Sequence, residues 1–292
     1  MCGVVDHGAV RAEQCITMTE VTPDMASEPS ASPRPDLTMV IPTYNELDRL
    51  DAMVTQVFSA CEGHLRVEVI VVDDNSPDGT GALADDLARG RRLRVIHRAG
   101  KLGLGSAVIE GFAAASAAVV GAIDADLSHP PQRIPKLFAA LVAHDLDMVV
   151  ASRYIAGGDS LGFAWYRRVM SNVACWLSRP VTPVRDAMSG LFLIRRNCVD
   201  SLPASARGFK IGLELLGRAP LRRVGEMPYR FAGRTAGKSK MNANEVLTFL
   251  RQLGALLVHQ YRTPRQPAEY LELAAPPATV ASNAPSLDEL GA

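Results

Sequence analysis

From about residue 37, short apolar runs alternate with segments whose apolar residues have helical spacing. Together these two patterns predict a repeating order of strands and helices. Short runs rich in β-branched residues predict strands over Leu37–Pro42, Val67–Val72, Leu93–His97, Val119–Asp124 and Asp147–Ala151. Apolar residues at helical spacing predict helices between them, over Glu46–Cys61, Gly79–Arg89, Gly105–Ala117 and Pro131–His144. Because the strands are almost continuously apolar, the predicted fold is α/β, with a mostly parallel sheet covered by helices on both faces.

The second half of the chain has a looser pattern. It predicts helices over Phe163–Arg179, Lys210–Arg218 and Asn242–Arg262, and strands over Leu191–Arg195 and Arg223–Phe231. Residues 1–36 are rich in Ser, Pro, Thr and Glu and are predicted to form a disordered leader. Residues 263–292 are rich in Ala and Pro and are predicted to form a disordered tail, which leaves one domain over 37–262.

Composition narrows the class of protein. The 31 basic and 31 acidic residues give zero net charge, which argues against a general nucleic-acid binder. The five cysteines form no CxxC pair, so they indicate neither a zinc site nor a disulfide framework, and they favour a reducing, cytoplasmic setting. No signal peptide and no apolar run of about 18 residues is found, so we expect any membrane contact to be peripheral or made through a partner protein.

Polar clusters follow the predicted strands, where parallel sheets bind their ligands. Pro42-Thr43-Tyr44-Asn45-Glu46 follows the first strand, although the spacing of Thr43 and Glu46 also fits a helix capping box. Asp73 and Asp74 end the second strand, and two adjacent carboxylates there require a positive or hydrogen-bonding partner. The alternative for the following residues is a helix start, capped by Ser76.

Asp124-Ala125-Asp126 closes the fourth strand. Residues two apart in an extended segment point the same way, so the two carboxylates are predicted to lie together and to hold Mg²⁺ or Mn²⁺. Arg153 follows the fifth strand, where its planar fork could meet a phosphate. The alternative is an ordinary surface arginine paired with a neighbouring acid.

Other α/β enzymes are excluded by missing motifs. No G-x-G-x-x-G follows the first strand, and the glycines of 100–105 do not fit the P-loop pattern. No G-x-S-x-G nucleophile turn is present either. A dehydrogenase, a P-loop NTPase and an α/β-hydrolase are therefore not expected.

The motifs VIPTYNE (40–46), VVDDNSPDGT (71–80), DADLSHPP (124–131), SRY (152–154) and GFKIGLELL (208–216) together resemble a known family. They are similar, over about 37–240, to the dolichyl-phosphate mannosyltransferase branch of family 2 glycosyltransferases. The resemblance implies a GT-A fold and inverting transfer of mannose from GDP-mannose to a polyprenyl monophosphate, with Mg²⁺ or Mn²⁺. Two departures are Ser128, where some members have a metal-binding Gln, and the absence of the transmembrane helices that many relatives append.

The resemblance also implies roles for individual residues. The guanosine part of the donor would be held by Pro42, Tyr44, Glu46, Val72 and Asp74. Asp124 and Asp126 would hold the metal, with Ala125 lining the site, and Arg153 and Arg167 would lie near the donor and acceptor phosphates. Arg234 and Lys240 match a basic loop that closes over the nucleotide. His129 is expected in a turn or cap rather than on the metal.

A membrane-facing surface is expected in the second half. Basic residues outnumber acidic ones between Arg207 and Arg262, which favours contact with anionic lipid on the cytoplasmic face of a membrane, with or without an anchoring partner protein. The apolar residues of 163–176 and 246–261 belong either to the core or to a lipid-binding face. Two other functions stay open: transfer of a different sugar from a UDP-linked donor, and a non-catalytic nucleotide-sugar-binding subunit.

Overall fold

The computed structural model describes residues 33–160, 165–200, 202, 210–231, 243–264 and 266–274. Two of the predicted site residues, Arg234 and Lys240, lie outside the described residues, as do Phe163, nearly all of the predicted leader and most of the predicted tail.

Strands and helices alternate as predicted through the first half. The strands are β1 (Leu37–Thr43), β2 (Val67–Asp73), β3 (Leu93–His97), β4 (Val119–Ala122), β5 (Met148–Ser152), β6 (Phe192–Arg195), β7 (Arg223–Pro228) and β8 (Glu269–Glu272). The helices are α1 (Leu47–Cys61), α2 (Thr80–Ala88), α3 (Leu104–Ala113), α4 (Ile134–Ala143), α5 (Trp165–Leu177), α6 (Arg196–Asp200), α7 (Ile211–Arg218) and α8 (Ala243–Arg262). The pattern did not predict α6 or β8.

The sheet is mostly parallel, which confirms the predicted fold class. Its order is β3-β2-β1-β4-β6-β5-β7-β8, and β6 alone among these strands runs antiparallel to its neighbours. Side chains of β1 alternate between two cores: Met39 and Ile41 pack on one face of the sheet, and Val40 packs on the other. Burial on both faces is why the strands read as continuous apolar runs.

The predicted domain end at residue 262 is too early, because part of the predicted tail joins the sheet. Glu269–Glu272 forms β8, which pairs in parallel with β7 from Arg223↔Glu269 to Glu226↔Glu272. The four-residue sequence Glu-Tyr-Leu-Glu has too little apolar content to signal a strand by itself. The segment becomes a strand because it pairs with the edge of β7, where backbone donors and acceptors are available.

The apolar residues of the second half divide between core and surface. On α5 the side chains of Trp165, Tyr166, Val169, Met170, Val173 and Trp176 are exposed, so of the two alternatives the one that places them in the core is wrong. On α8, Phe249, Leu253 and Leu256 pack in a small core with Leu213, whereas Val246, Leu247, Leu250, Leu257, Val258 and Tyr261 are exposed. No helix in the described ranges is long and apolar enough to cross a membrane.

Candidate active site

An open cleft of about 100 Å³ lies at the carboxyl ends of β1 and β4. Pro42 of β1, Asp124 after β4 and the segment 187–190 contribute to its walls. The remaining walls come from Leu104, Val108, Ala122, Phe192, Lys210, Ile211 and Gly212. The cleft therefore lies where the strand order predicted a ligand site.

Asp124 and Asp126 occupy different environments at the end of β4. The strand ends at Ala122 and residues 125–126 form a turn, so the expectation of one extended segment carrying both carboxylates is wrong. Asp126 is buried, and its Oδ1 accepts a hydrogen bond from the backbone N–H of Ser128 (3.0 Å) and another from the Ser128 hydroxyl. Asp124 instead lines the cleft with its side chain 34% exposed.

His129 lies in a bend, which fits the predicted turn position, and its ring is beside Asp124. Its Nε2 is 3.6 Å from Asp124 Oδ2, and its ring packs against the rings of Tyr229 (5.4 Å) and Phe231 (5.8 Å between centroids). The imidazole is buried, and its Nδ1 has no hydrogen-bond partner among the described residues. Burial raises the pKa of the neighbouring Tyr229 phenol well above its ordinary value. His129 is thus held in place by packing and faces the cleft carboxylate.

Gly190 keeps the space around Asp124 open. A Cβ at this position would lie 2.2 Å from Asp124 Oδ2 and 2.9 Å from His129 Nε2, both impossibly close. Any side chain at 190 would therefore have to push the carboxylate or the imidazole aside. Gly190 does not have the positive φ that usually requires glycine. The lack of space beside Asp124 and His129 is therefore what requires glycine at this position.

These residues fit a divalent metal that arrives with a diphosphate. Within the described ranges, no group of three or more His, Cys, Asp or Glu side chains could hold a metal ion. Mg²⁺ needs only one or two carboxylates when substrate phosphates supply further oxygens, and Mn²⁺ accepts the same ligands. The cleft-lining carboxylate of Asp124 and the space preserved by Gly190 meet that requirement.

The two carboxylates at the end of β2 both have partners, as the sequence required. Asp73 accepts hydrogen bonds from the backbone N–H (3.0 Å) and hydroxyl (2.5 Å) of Ser76 and from the hydroxyl of Thr43 (3.2 Å). The alternative in which Ser76 caps the next helix is wrong, because α2 begins at Thr80 and Asp78 accepts the Thr80 N–H at 3.0 Å. Ser76 therefore donates hydrogen bonds to Asp73 at the end of β2 and does not cap α2.

Asp74 anchors the loop that follows β3. Its Oδ1 pairs with the buried guanidinium of Arg98, and its Oδ2 accepts the backbone N–H of Gly103 at 2.9 Å. Gly103 has φ +100, a left-handed conformation that side chains disfavour. The loop 98–103 thereby brings Lys101 Nζ to 3.9 Å from the centre of the Tyr44 ring. Arg98 directly follows a predicted strand, and this position is the sequence signal that marks it as a site residue.

The residues after β1 surround the same end of the sheet. The capping-box reading is wrong, because Glu46 is the N-cap of α1 without a side-chain cap bond, and Thr43 turns to Asp73. The Glu46 carboxylate pairs with Arg49 (2.9 Å) and its backbone N–H donates to the Thr80 hydroxyl (3.0 Å). Val72 and Ala125 are buried in the two cores that flank the sheet.

Arg153 is buried in a bidentate pair with Asp186, so the reading of a surface arginine is wrong. Asp186 is fully buried; it accepts the Arg153 backbone N–H (2.8 Å), Nε–H (2.8 Å) and Nη2–H (2.7 Å). Burial opposes the charged guanidinium, but attraction and hydrogen bonds from Asp186 outweigh it and raise the pKa of Arg153 above its ordinary value. Arg167 lies half-buried on α5.

Sequence comparison gives the class of protein. Residues 38–202 match glycosyl transferase family 2, and the structure has the GT-A fold of these enzymes. A glucosyl-3-phosphoglycerate synthase from Mycobacterium tuberculosis, solved with Mn²⁺, UDP and glucosyl-3-phosphoglycerate, is 24% identical with a TM-score of 0.57, covering 80% of this chain and 82% of that one. A mannosyltransferase from Pyrobaculum calidifontis, solved with GDP-Man and Mn²⁺, is 17% identical with a TM-score of 0.57, covering 81% and 67%.

Curated relatives are more similar in sequence. The dolichol-phosphate mannosyltransferase of Saccharomyces cerevisiae is 36% identical over 238 residues, 77% of this chain and 88% of that protein. The polyprenol monophosphomannose synthase of Mycolicibacterium smegmatis is 37% identical over 235 residues, 76% and 87%. The dolichol-phosphate mannosyltransferase of Pyrococcus furiosus is 36% identical over 225 residues, and this chain spans 63% of its length. The chain belongs to glycosyl transferase family 2.

Proposed function

We propose that this enzyme transfers mannose from GDP-mannose to a polyprenyl monophosphate, with inversion, and releases GDP. The observation that carries the proposal is the cleft carboxylate Asp124 at the end of β4, in a chain whose curated relatives are named for this reaction. The solved complex of a mannosyltransferase with GDP-Man and Mn²⁺ supports the choice of donor and metal.

In this proposal Asp124 and Asp126 would hold Mg²⁺ or Mn²⁺ when the donor is bound, Asp124 from the cleft wall and Asp126 from its buried position beside Ser128. The metal would supply a positive charge that stabilises the departing diphosphate. The guanosine would lie between Tyr44, Glu46 and the loop anchored by Asp74, beside Pro42 and Val72. Arg234 and Lys240 are proposed to close over the nucleotide, which would exclude the water that could hydrolyse the donor.

The acceptor needs alignment more than activation. A phosphate monoester is largely ionised near neutral pH, so its oxygen is already a nucleophile and no general base is required. Arg153 and Arg167 are proposed to bring this anion to the cleft. The rigid pair with Asp186 fixes the plane of the Arg153 guanidinium, so little side-chain entropy is lost when the phosphate binds.

The function is tested by incubating the full chain with labelled GDP-mannose and a short polyprenyl phosphate. We expect labelled lipid with Mg²⁺ or Mn²⁺, and at least about a 100-fold lower rate with EDTA because the diphosphate loses its counter-charge. UDP-glucose and UDP-N-acetylglucosamine serve as competing donors. Transfer from a UDP-sugar alone would reject mannose, and nucleotide binding without any transfer would favour a non-catalytic subunit.

The exposed apolar faces of α5 and α8 support peripheral binding to a membrane, for which we propose the cytoplasmic face. Trp165 and Trp176 of α5 are 77% and 71% exposed, and contiguous apolar patches of this kind mark interaction surfaces. Tryptophan prefers the lipid–water interface, where its ring is apolar and its N–H is hydrated. Arg168 and Arg251, exposed on the same two helices, would meet anionic headgroups.

Replacing either tryptophan with alanine should weaken binding to anionic vesicles about tenfold, since burying one large side chain contributes about 1.5 kcal/mol or more. Sedimentation with phosphatidylglycerol-containing vesicles measures the effect. The matched control is Leu47→Ala, which removes an exposed apolar side chain from α1 instead of from α5 or α8. Equal vesicle binding by the wild type and both tryptophan variants would contradict the membrane assignment.

A further inference from the structure

The segment 184–190, here called the cleft loop, lies in the connection between α5 and β6, and its residues 187–190 line the cleft. Its Asp186 holds Arg153 through the bidentate pair. Its last residue, Gly190, lies directly against Asp124 and His129, where a Cβ would have no room. A small displacement of the cleft loop would therefore disturb both the buried Arg153–Asp186 pair and the space beside the cleft carboxylate Asp124.

The backbone of the cleft loop is hydrogen-bonded to one buried carboxylate. Glu226 of β7 is fully buried; it accepts the backbone N–H of Arg185 at 2.7 Å and that of Asp186 at 2.9 Å. Two consecutive backbone donors converge on its two oxygens. A buried charge is tolerated only where hydrogen bonds satisfy it, so the position of Glu226 and that of the cleft loop depend on each other.

The strand β8 completes this arrangement. The Tyr270 hydroxyl donates to Glu226 Oε2 at 2.5 Å, and Glu272 pairs with Arg185 at 2.6 Å. Both contacts run from β8 to the cleft loop or to the carboxylate that fastens it. Neither is needed merely to cover the edge of β7, which the backbone pairing of β8 already does.

We propose that β8 is a positioning strand for the transfer reaction and that Tyr270 and Glu226 are positioning residues. Through the cleft loop they hold Gly190 against Asp124 and Asp186 against Arg153. The inference rests on the proposed function. It assigns a role in the reaction to a segment beyond residues 38–202, the part that matches the family.

The test is Tyr270→Phe in the full chain, which removes one hydroxyl and keeps the ring. We expect the Kd of GDP in the presence of Mn²⁺, measured by calorimetry, to rise about tenfold, because misplacing a site by about 1 Å has effects of this size or larger. With EDTA the Kd of GDP should stay within about twofold of wild type, because Asp124 is then not engaged by a metal. The kcat for mannose transfer should fall by a similar factor.

The stability-matched control is Leu271→Ala, which removes packing from β8 but leaves the Tyr270 hydroxyl in place. It should lower Tm while keeping the wild-type Kd for GDP with Mn²⁺. If Tyr270→Phe keeps the wild-type Kd, or if Leu271→Ala raises it equally, β8 only stabilises the fold and the proposal is overturned. A wild type that neither binds GDP nor transfers mannose would instead reject the proposed function.

Discussion

Asp124→Asn is expected to lower kcat for mannose transfer about 10³-fold, the upper end of what removing one electrostatic group from a reaction site costs. The substitution keeps the shape of the side chain and removes the charge that is proposed to hold the metal. The fold should tolerate it, because Asp124 is partly exposed and its contact with His129 Nε2, at 3.6 Å, is longer than a hydrogen bond. Steady-state transfer at saturating Mn²⁺ measures the effect, with Tm as the check on folding.

Asp86→Asn is the matched control, since Asp86 is an exposed aspartate on α2 paired with Arg89 at 3.1 Å. It should leave kcat and Tm unchanged. Asp126→Asn separates the two members of the motif: its Oδ1 is already engaged by Ser128, so part of its effect should appear as lost stability. Transfer by Asp124→Asn within about threefold of wild type would remove the centre of the proposed mechanism.

Asp186→Ala is expected to lower the free energy of unfolding by about 3–5 kcal/mol, because it leaves the buried Arg153 guanidinium without its counter-charge. Urea unfolding monitored by circular dichroism measures the change. The pair is fully desolvated, so screening by solvent does not diminish the effect as it does at the surface. A loss below about 1 kcal/mol would show that the pair is not an important contributor to stability.

The double variant Arg153→Met with Asp186→Ala separates stability from function. It removes both buried charges, so much of the lost stability should return. Transfer should stay low if Arg153 meets the acceptor phosphate, and the KM for the polyprenyl phosphate should rise. Recovery of both stability and transfer would assign Arg153 a purely structural role.

Prediction from sequence succeeded where the signal is local. β3 runs from Leu93 to His97 as predicted, and α1 differs from its prediction by one residue at its start. Apolar periodicity is a property of a few neighbouring residues, so it can be read without knowing the fold. The position of the polar clusters also followed, because parallel strands carry ligands at their carboxyl ends.

The site was harder to predict where partners are distant in sequence. Arg153 lies 33 residues from Asp186, and Glu226 lies 40 residues from the backbone N–H that it accepts. Asp186, Gly190 and Glu226 have no local pattern that sets them apart from ordinary turn and strand residues. Their contacts form only in the packed structure: Asp186 with Arg153, Gly190 with Asp124, and Glu226 with the backbone of the cleft loop.

The sequence by itself determined the order of strands and helices, the parallel sheet and the acidic cluster after β4, because these depend on local periodicity and on strand ends. Tertiary structure alone decided which of two similar carboxylates reaches the cleft, how Arg153 is held, and that 269–272 becomes a strand. Those outcomes depend on burial and on contacts between distant segments. Both arise only when the elements pack, and no local pattern encodes them.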